Sequence, residues 1–192
     1  MKVSRGFACI DMNSSTMIAE KLGNPRYSEL IRECFALLDQ VLEAYPHYQV
    51  YQYVGDEAII TWEIEKAHAA DALAIFRGFE TELDLKSEGF RSRFGLVPSF
   101  KCAIHSGEVM ESELGAKRPH KAYHGDVLNM ASRILALCHP YGTSLLLSQE
   151  YRSLISNQEL ADMTAIEHEF INGRSRKMRL YRPKDLIKNI YA

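Results

Sequence analysis

The stretch Phe7-Ala-Cys-Ile-Asp11-Met-Asn-Ser-Ser-Thr16 decides how the rest of the chain is interpreted. Residues 7–10 are apolar or small, and they predict a buried strand that ends at a carboxylate. Hydroxyl-rich residues follow, and a helical pattern begins at Met17. A strand that runs through a carboxylate into a helix brings a negative charge close to backbone N–H groups that suit a phosphate. The alternative is that Asp11 only caps the helix.

The bulk composition is that of an ordinary globular protein. The chain has 192 residues, of which 46% are hydrophobic and 25% are charged, and the net charge is −2. This length predicts one domain, residues 1–192, and this charge argues against a nucleic-acid partner. The sequence has neither a signal peptide nor an apolar run of the roughly 18 residues that a membrane span needs. Because no such span is present, any membrane attachment is expected through a fused segment outside this chain. The four dispersed cysteines indicate reduced core thiols in the cytoplasm.

The hydrophobic periodicity predicts a mixture of helices and strands. Helices are predicted over residues 17–22, 25–45, 67–85, 126–138 and 149–155, strands over 48–54, 58–62, 100–104, 108–113, 144–147, 165–170 and 178–181, and a loop over 86–98. Without its short pieces this order is βαββαβ, which is typical of the ferredoxin-like α+β fold. We therefore expect an antiparallel sheet with helices on one face and C-terminal additions.

Two aspartates are expected to meet at one edge of this sheet. The end of the first strand should lie beside the hairpin at Gly55-Asp56-Glu57, so Asp11 and Asp56 would face each other. Two neighbouring carboxylates repel unless a cation lies between them, and Mg²⁺ with phosphate is a common solution. The alternative for Asp56 is a simple turn residue. Glu57 is expected to point to the opposite face of its strand.

A second group of polar residues lies on the helix after Gly125. Asn129 and Arg133 are four residues apart, so they share a helix face. An amide beside a guanidinium can hold a ribose oxygen and a phosphate, because arginine binds phosphate through two N–H groups. A solvated Asn/Arg face is the alternative.

Four motifs in chain order resemble the class III nucleotidyl cyclase catalytic domain of bacterial type. They are Phe7 to Thr16, Val54-Gly-Asp56-Glu57, Ile104-His-Ser-Gly-Glu-Val109 and Gly125-Asp-Val-Leu-Asn129-Met-Ala-Ser-Arg133. The resemblance covers residues 5 to 182 and implies a signal-transduction lyase that converts ATP into 3′,5′-cyclic AMP and pyrophosphate. It also implies two Mg²⁺ or Mn²⁺ ions per site, and a homodimer with its sites at the subunit interface.

The resemblance implies a role for each matching residue. Asp11, Asp56 and the backbone of Met12 match the metal ligands. Asn129 matches the residue that orients the ribose, and Arg133 the residue that stabilises the transition state. The positions that match groups binding the triphosphate are Asn13, Ser14, Ser15, Thr16 and Arg174.

The base-selecting positions depart from the family pattern, since Gln52 and Ala122 stand where better-known adenylate cyclases have Lys and Asp or Thr. Gln52 can pair with adenine because its amide both donates and accepts, whereas Ala122 contributes only space. Residues 48, 50 and 52 are expected to share one strand face. ATP is the expected substrate, with GTP or a pyrimidine triphosphate as alternatives. A catalytically silent nucleotide-sensing domain also stays open, whereas Val54 before Gly55 argues against a diguanylate cyclase.

Overall fold

The computed structural model describes residues 1–156, 158, 162–172 and 174–184, and for residues 168–172 and 174–176 it describes the backbone alone. The elements in chain order are β1 Lys2–Met12, α1 Ser15–Leu22, α2 Asn24–Leu42, β2 Tyr48–Val54, β3 Glu57–Glu63, α3 Asp71–Leu85, α4 Ser87–Phe94, β4 Phe100–Leu114, β5 His120–His124, α5 Asp126–Ala136, β6 Leu145–Ser148, α6 Gln149–Arg152, β7 Met163–Asn172 and β8 Arg174–Pro183. Among the described residues, no helix is long and apolar enough to span a membrane.

One eight-stranded sheet organises these elements. Its strand order is β2-β3-β1-β4-β6-β8-β7, and β5 pairs with the far end of β4. Among the first four strands of that order each strand is antiparallel to its neighbour, and together they have the arrangement of the ferredoxin-like core. The predicted α+β class is therefore confirmed. Strand β6 pairs with β4 in parallel, and β8 and β7 extend the sheet as C-terminal additions.

Both faces of the sheet are covered, so the expectation of helices on one face is wrong. Alternate residues of β1 point to opposite faces. Ala8 and Ile10 join the larger core under α2 and α3, whereas Phe7 and Cys9 join a second core under α5. The apolar stripe that α5 turns to the sheet consists of Val127, Met130, Ala131, Ile134 and Leu135.

Two local predictions are also wrong. The loop predicted over residues 86–98 contains the short helix α4, which buries Phe90 and Phe94 one turn apart and ends at Gly95 in the left-handed conformation (φ 72°). The two strands predicted over 100–104 and 108–113 form one continuous strand, β4, because Gly107 stays in register opposite Arg5. A side chain at Gly107 would crowd Val127 of α5, at 2.9 Å from its Cγ2.

Gly6 is required by the packing of Trp62. These residues lie directly opposite each other on β1 and β3, and Trp62 is almost fully buried. The ring of Trp62 also stacks against Tyr48, with 4.8 Å between the ring centroids. A Cβ atom at Gly6 would lie 2.1 Å from Cζ2 of Trp62, so any side chain there must displace the indole.

We expect Gly6→Ala to lower the free energy of unfolding by about 1–3 kcal/mol, because the buried indole has no free space to move into. Urea denaturation followed by tryptophan fluorescence measures this change. Gly89→Ala on α4 is the matched control, since a Cβ there meets nothing within 4 Å and alanine favours a helix. Equal stability of the wild type and Gly6→Ala would show that Trp62 packs differently.

Candidate active site

Asp11 is the central residue of the site. It lies near the end of β1, opposite Glu57 of β3 on one side and Lys101 of β4 on the other. Residues directly opposite each other on antiparallel strands share a sheet face, so all three side chains lie on the face that carries α5. The expectation that Glu57 points away is therefore wrong. Asp56 belongs to the turn, and the strand begins at Glu57.

The charges around Asp11 oppose one another. Burial raises the pKa of Asp11, the bonded Lys101 ammonium partly offsets this rise, and the charge of Asp56 adds to it. Burial also raises the pKa of Glu57, a hydrogen bond from the Cys9 thiol offsets part of that rise, and the two aspartates add to it. Three carboxylates thus share one region with one ammonium group. This surplus of negative charge suits a cation.

A cavity of about 430 Å³ opens beside Asp11. Its walls are formed by Asp11, Met12, Ser14, Ser15, Thr16, Met17, Glu20 and Lys101. Ser14 takes the left-handed conformation (φ 56°) and turns the chain from β1 into α1. The first backbone N–H groups of α1 follow directly, and such groups bind anions by donating hydrogen bonds to them. The cavity therefore combines a carboxylate, an ammonium group and hydroxyls next to a helix N-terminus.

Asn13 does not line this cavity. Its side-chain Nδ2 donates to Oγ of Ser99 at 3.1 Å, and its backbone N–H donates to the carbonyl of Ser99 at 2.9 Å. Asn13 thus ties the turn after β1 to the residue that precedes β4. Its predicted contact with a triphosphate remains a prediction.

Lys101 is a site residue that the sequence reasoning missed. It is the single charged residue in the otherwise apolar run Phe100-Lys-Cys-Ala-Ile104, and only 20% of its side chain is exposed. A half-buried lysine needs a compensating charge. That pattern in the sequence was the available signal, but the partner of Lys101, Asp11, is identified only by the register of β1 with β4.

Asn129 and Arg133 lie apart from the cavity. Both are exposed on α5, on the side away from the residues that this helix buries. Within the part of the chain that the structure describes, neither makes a hydrogen bond or an ion pair, and neither lines the cavity beside Asp11. One chain thus assembles the aspartates and the turn after β1, and leaves the Asn/Arg pair facing solvent.

A β-bulge at Tyr51 determines the direction of Gln52. Val50 pairs with Ile60, but Gln52 pairs with Ile59, so Tyr51 is an extra residue. The expectation that residues 48, 50 and 52 share a face is therefore wrong. Ile60 belongs to the core under α2, whereas Ile59 belongs to the core under α5. The bulge moves Gln52 onto the sheet face that carries Asp11.

The two remaining predicted residues are less informative. Ala122 is buried on β5 opposite Ser112, and it is not among the described residues that line the cavity containing Gln52. The backbone of Arg174 begins β8, but its side chain lies outside the described part of the structure.

The ion pair between Lys101 and Asp11 predicts competition with a divalent cation. At mildly alkaline pH we expect Lys101→Met to bind Mn²⁺ about fivefold more tightly than the wild type in the absence of nucleotide, because Asp11 loses its competing ammonium. Electron paramagnetic resonance of free Mn²⁺ measures this affinity. Lys66→Met, which removes an exposed partner of Glu63, is the control. Weaker binding by Lys101→Met would show that the ion binds elsewhere.

Comparisons with known proteins point to one family. Residues 3–182 match the family model of the adenylate and guanylate cyclase catalytic domain. Adenylate cyclase 2 of Rhizobium meliloti (strain 1021) is 27% identical over 176 residues, which are 91% of this chain and 48% of that protein. Adenylate cyclase 1 of the same organism is 29% identical over 150 residues, which are 72% of this chain and 21% of that protein. The chain thus spans half or less of these curated relatives.

Solved structures show the same fold. A bacterial light-regulated adenylyl cyclase superposes with a TM-score of 0.76 at 18% identity, covering 95% of this chain and 91% of that one. The guanylyl cyclase Cya2 gives a TM-score of 0.79 at 16% identity, covering 95% and 92%. The family match extends over nearly the whole chain and includes every motif described above. The chain therefore belongs to the adenylate and guanylate cyclase catalytic domain family.

Proposed function

We propose that this domain converts ATP into 3′,5′-cyclic AMP and pyrophosphate at a site that a second copy of the chain completes. The observation that carries the proposal is the proximity of the like charges of Asp11 and Asp56, with Asp11 in the wall of a cavity that hydroxyls and Lys101 also line. The adenylate cyclases among the relatives support ATP, as does the amide of Gln52. The similarity to the guanylyl cyclase Cya2 concerns the fold and leaves GTP as the alternative.

The donor atoms at the site fit Mg²⁺ or Mn²⁺, because both ions prefer oxygen ligands. The carboxylates of Asp11 and Asp56 and the carbonyl of Met12 would hold the ions. Asp11, Asp56 and Glu57 lie in one region, but among the described residues no three His, Cys, Asp or Glu side chains are arranged to hold one metal ion. The triphosphate and water would therefore supply the remaining ligands. When bound, divalent cations would lower the pKa of the ribose 3′-hydroxyl and offset charge on the phosphates.

In this proposal Lys101 also binds the phosphates of the substrate. In the free protein its ammonium pairs with Asp11. Once Asp11 binds a cation, Lys101 is released and can turn to the phosphates in the same cavity. Ser15, Thr16 and the first N–H groups of α1 would hold the phosphate oxygens from the other side. Arg174 remains a proposed partner of the terminal phosphates.

Asn129 and Arg133 would act on the substrate of the neighbouring chain. Both are exposed on α5 and free to approach a second copy. Asn129 would orient the ribose, and Arg133 would donate N–H groups to the α-phosphate as its charge increases. The 3′-oxygen bonds to the α-phosphorus, the bond to pyrophosphate breaks, and the hydroxyl proton passes to solvent. The presence of Asp11, Asp56, Asn129 and Arg133 argues against a silent sensor.

We expect Asp11→Asn and Asp56→Asn each to lower the cyclisation rate by at least about a hundredfold, because each removes a charged ligand of the metal ions. Cyclic nucleotide production from ATP with Mn²⁺ measures the rate, and circular dichroism confirms the fold. Asp39→Asn is the matched control, since Asp39 accepts a hydrogen bond from the Tyr53 hydroxyl at 2.7 Å, away from the site. Near-normal turnover in either site variant would contradict the metal assignment.

We also expect complementation between chains. Arg133→Ala should lose about a hundredfold in rate. A mixture of equal amounts of Asp11→Asn and Arg133→Ala chains should recover roughly a quarter of wild-type activity, because half of the dimers would contain one intact site. A mixture of Asp11→Asn with Asp56→Asn is the control and should stay inactive, since both changes damage the same half. Failure of the first mixture under verified subunit exchange would place the whole site within one chain.

A further inference from the structure

The turn between β1 and α1 contains a strained residue, Ser14. Among the described residues it is the only one other than glycine with a positive φ, at φ 56° and ψ 28°. In this left-handed conformation the Cβ atom lies close to the following carbonyl oxygen, which costs free energy for every residue but glycine. Such conformations persist only where neighbouring contacts enforce them, and they cluster at functional sites. The contacts that hold Ser14 therefore bear on the candidate active site.

The left-handed conformation of Ser14 leaves the N-terminus of α1 without a side-chain cap. Ser14 is the N-cap residue, and its carbonyl accepts a hydrogen bond from the N–H of Ile18 at 3.0 Å. A serine at this position usually has an extended backbone, and its hydroxyl then accepts from the N–H of the second or third helical residue. Within the described structure Ser14 forms no such bond. The N–H groups of Thr16 and Met17, two residues in the wall of the cavity beside Asp11, are therefore left uncapped.

Two hydrogen bonds between Asn13 and Ser99, here called the clasp, hold the residue directly before Ser14. The backbone N–H of Asn13 donates to the carbonyl of Ser99 at 2.9 Å, which extends the pairing of β1 with β4 by one residue beyond Met12 and Phe100. The side-chain Nδ2 of Asn13 donates to Oγ of Ser99 at 3.1 Å. Met12 and Phe100 are almost fully buried, so the clasp rests on a fixed base.

The alternative is that the clasp only ties two surface segments together. One hydrogen bond contributes little net free energy to a fold, and the bond between the two side chains is exposed. Its place in the chain gives it a local effect instead, because it adjoins a strained residue in the wall of the cavity. An extended Ser14 would turn its hydroxyl to the first N–H groups of α1. Those are the same groups that suit a phosphate.

We propose that Asn13 and Ser99 are positioning residues that keep the N-terminus of α1 open for the phosphates of the substrate. The inference rests on the proposed function, and it gives Asn13 a role without direct contact to the triphosphate. With the clasp formed, Ser14 stays left-handed, and phosphate oxygens accept hydrogen bonds from the first N–H groups of α1. Without the clasp, Ser14 relaxes to an extended conformation, and its own hydroxyl caps the helix in place of a phosphate.

The direct test is the binding of inorganic triphosphate with Mn²⁺, measured by isothermal titration calorimetry, because this probe has no base and requires no turnover. We expect Asn13→Ala and Ser99→Ala each to weaken binding roughly three- to tenfold, since the Ser14 hydroxyl then occupies N–H groups of α1. Ser153→Ala is the matched control. The Ser153 hydroxyl donates to the carbonyl of Glu150 at 2.7 Å and does not line the cavity beside Asp11, so this variant should bind as the wild type does.

The change Ser14→Gly separates positioning from direct contact. Glycine adopts the left-handed conformation without strain, and it has no hydroxyl with which to cap α1. In a Ser14→Gly background we therefore expect Asn13→Ala to weaken triphosphate binding by less than about twofold. A direct phosphate contact of Asn13 would instead lose the same factor in both backgrounds. A merely structural bond would lower the melting temperature in both backgrounds and show no such rescue of binding.

The outcomes separate this inference from the proposed function. An unchanged affinity in Ser99→Ala, or equal losses from Asn13→Ala in both backgrounds, would overturn the inference while the wild type still cyclises ATP. A wild type that binds triphosphate with Mn²⁺ and cyclises no nucleotide would overturn the proposed function. Rescue of Asn13→Ala by Ser14→Gly would support the positioning role of the clasp even in that case.

Discussion

The ion pair between Asp11 and Lys101 is the interaction on which the site depends. Burial and the nearby charge of Asp56 both raise the pKa of Asp11, and Lys101 offsets part of this effect. The pair exists because β1 is a central strand with β3 and β4 as its neighbours. Two covered faces bury residues 5–10 of β1, and this buried segment holds the half-buried carboxylate of Asp11 in position. In the proposed function, a substrate complex would exchange this charged pair for a metal ion and phosphates.

The two faces of the sheet have different tasks. The face under α2 and α3 carries the larger core, including Trp62, which packs over Gly6. The face under α5 carries the charged side chains of the candidate site, namely Asp11, Glu57 and Lys101. The bulge at Tyr51 adds Gln52 to the same face. A rigid core on one side therefore supports a polar surface on the other, which is the surface that the proposed function assigns to a second copy.

Patterns local in sequence predicted much of this structure. The apolar run into Asp11, the turn at Asp56 and the Pro-led α2 each follow from short-range rules, and the strand order follows from the sequence of elements. The failures concern longer-range effects. Gly107 stays in β4 because β1 pairs along its whole length, and Lys101 meets Asp11 through that same register. The bulge in β2 has no sequence signature. The proposed relation of Arg133 to Asp11 would require a second chain, which no pattern within one chain displays.

The proposed formation of a cyclic nucleotide from ATP at the Asp11 site can be tested directly. The most direct measurement incubates the purified chain with ATP and Mn²⁺ and identifies the products by phosphorus nuclear magnetic resonance. The proposed function predicts 3′,5′-cyclic AMP and pyrophosphate in equal amounts. Formation of ADP or AMP instead, or full recovery of ATP from a folded protein that binds it, would contradict the account.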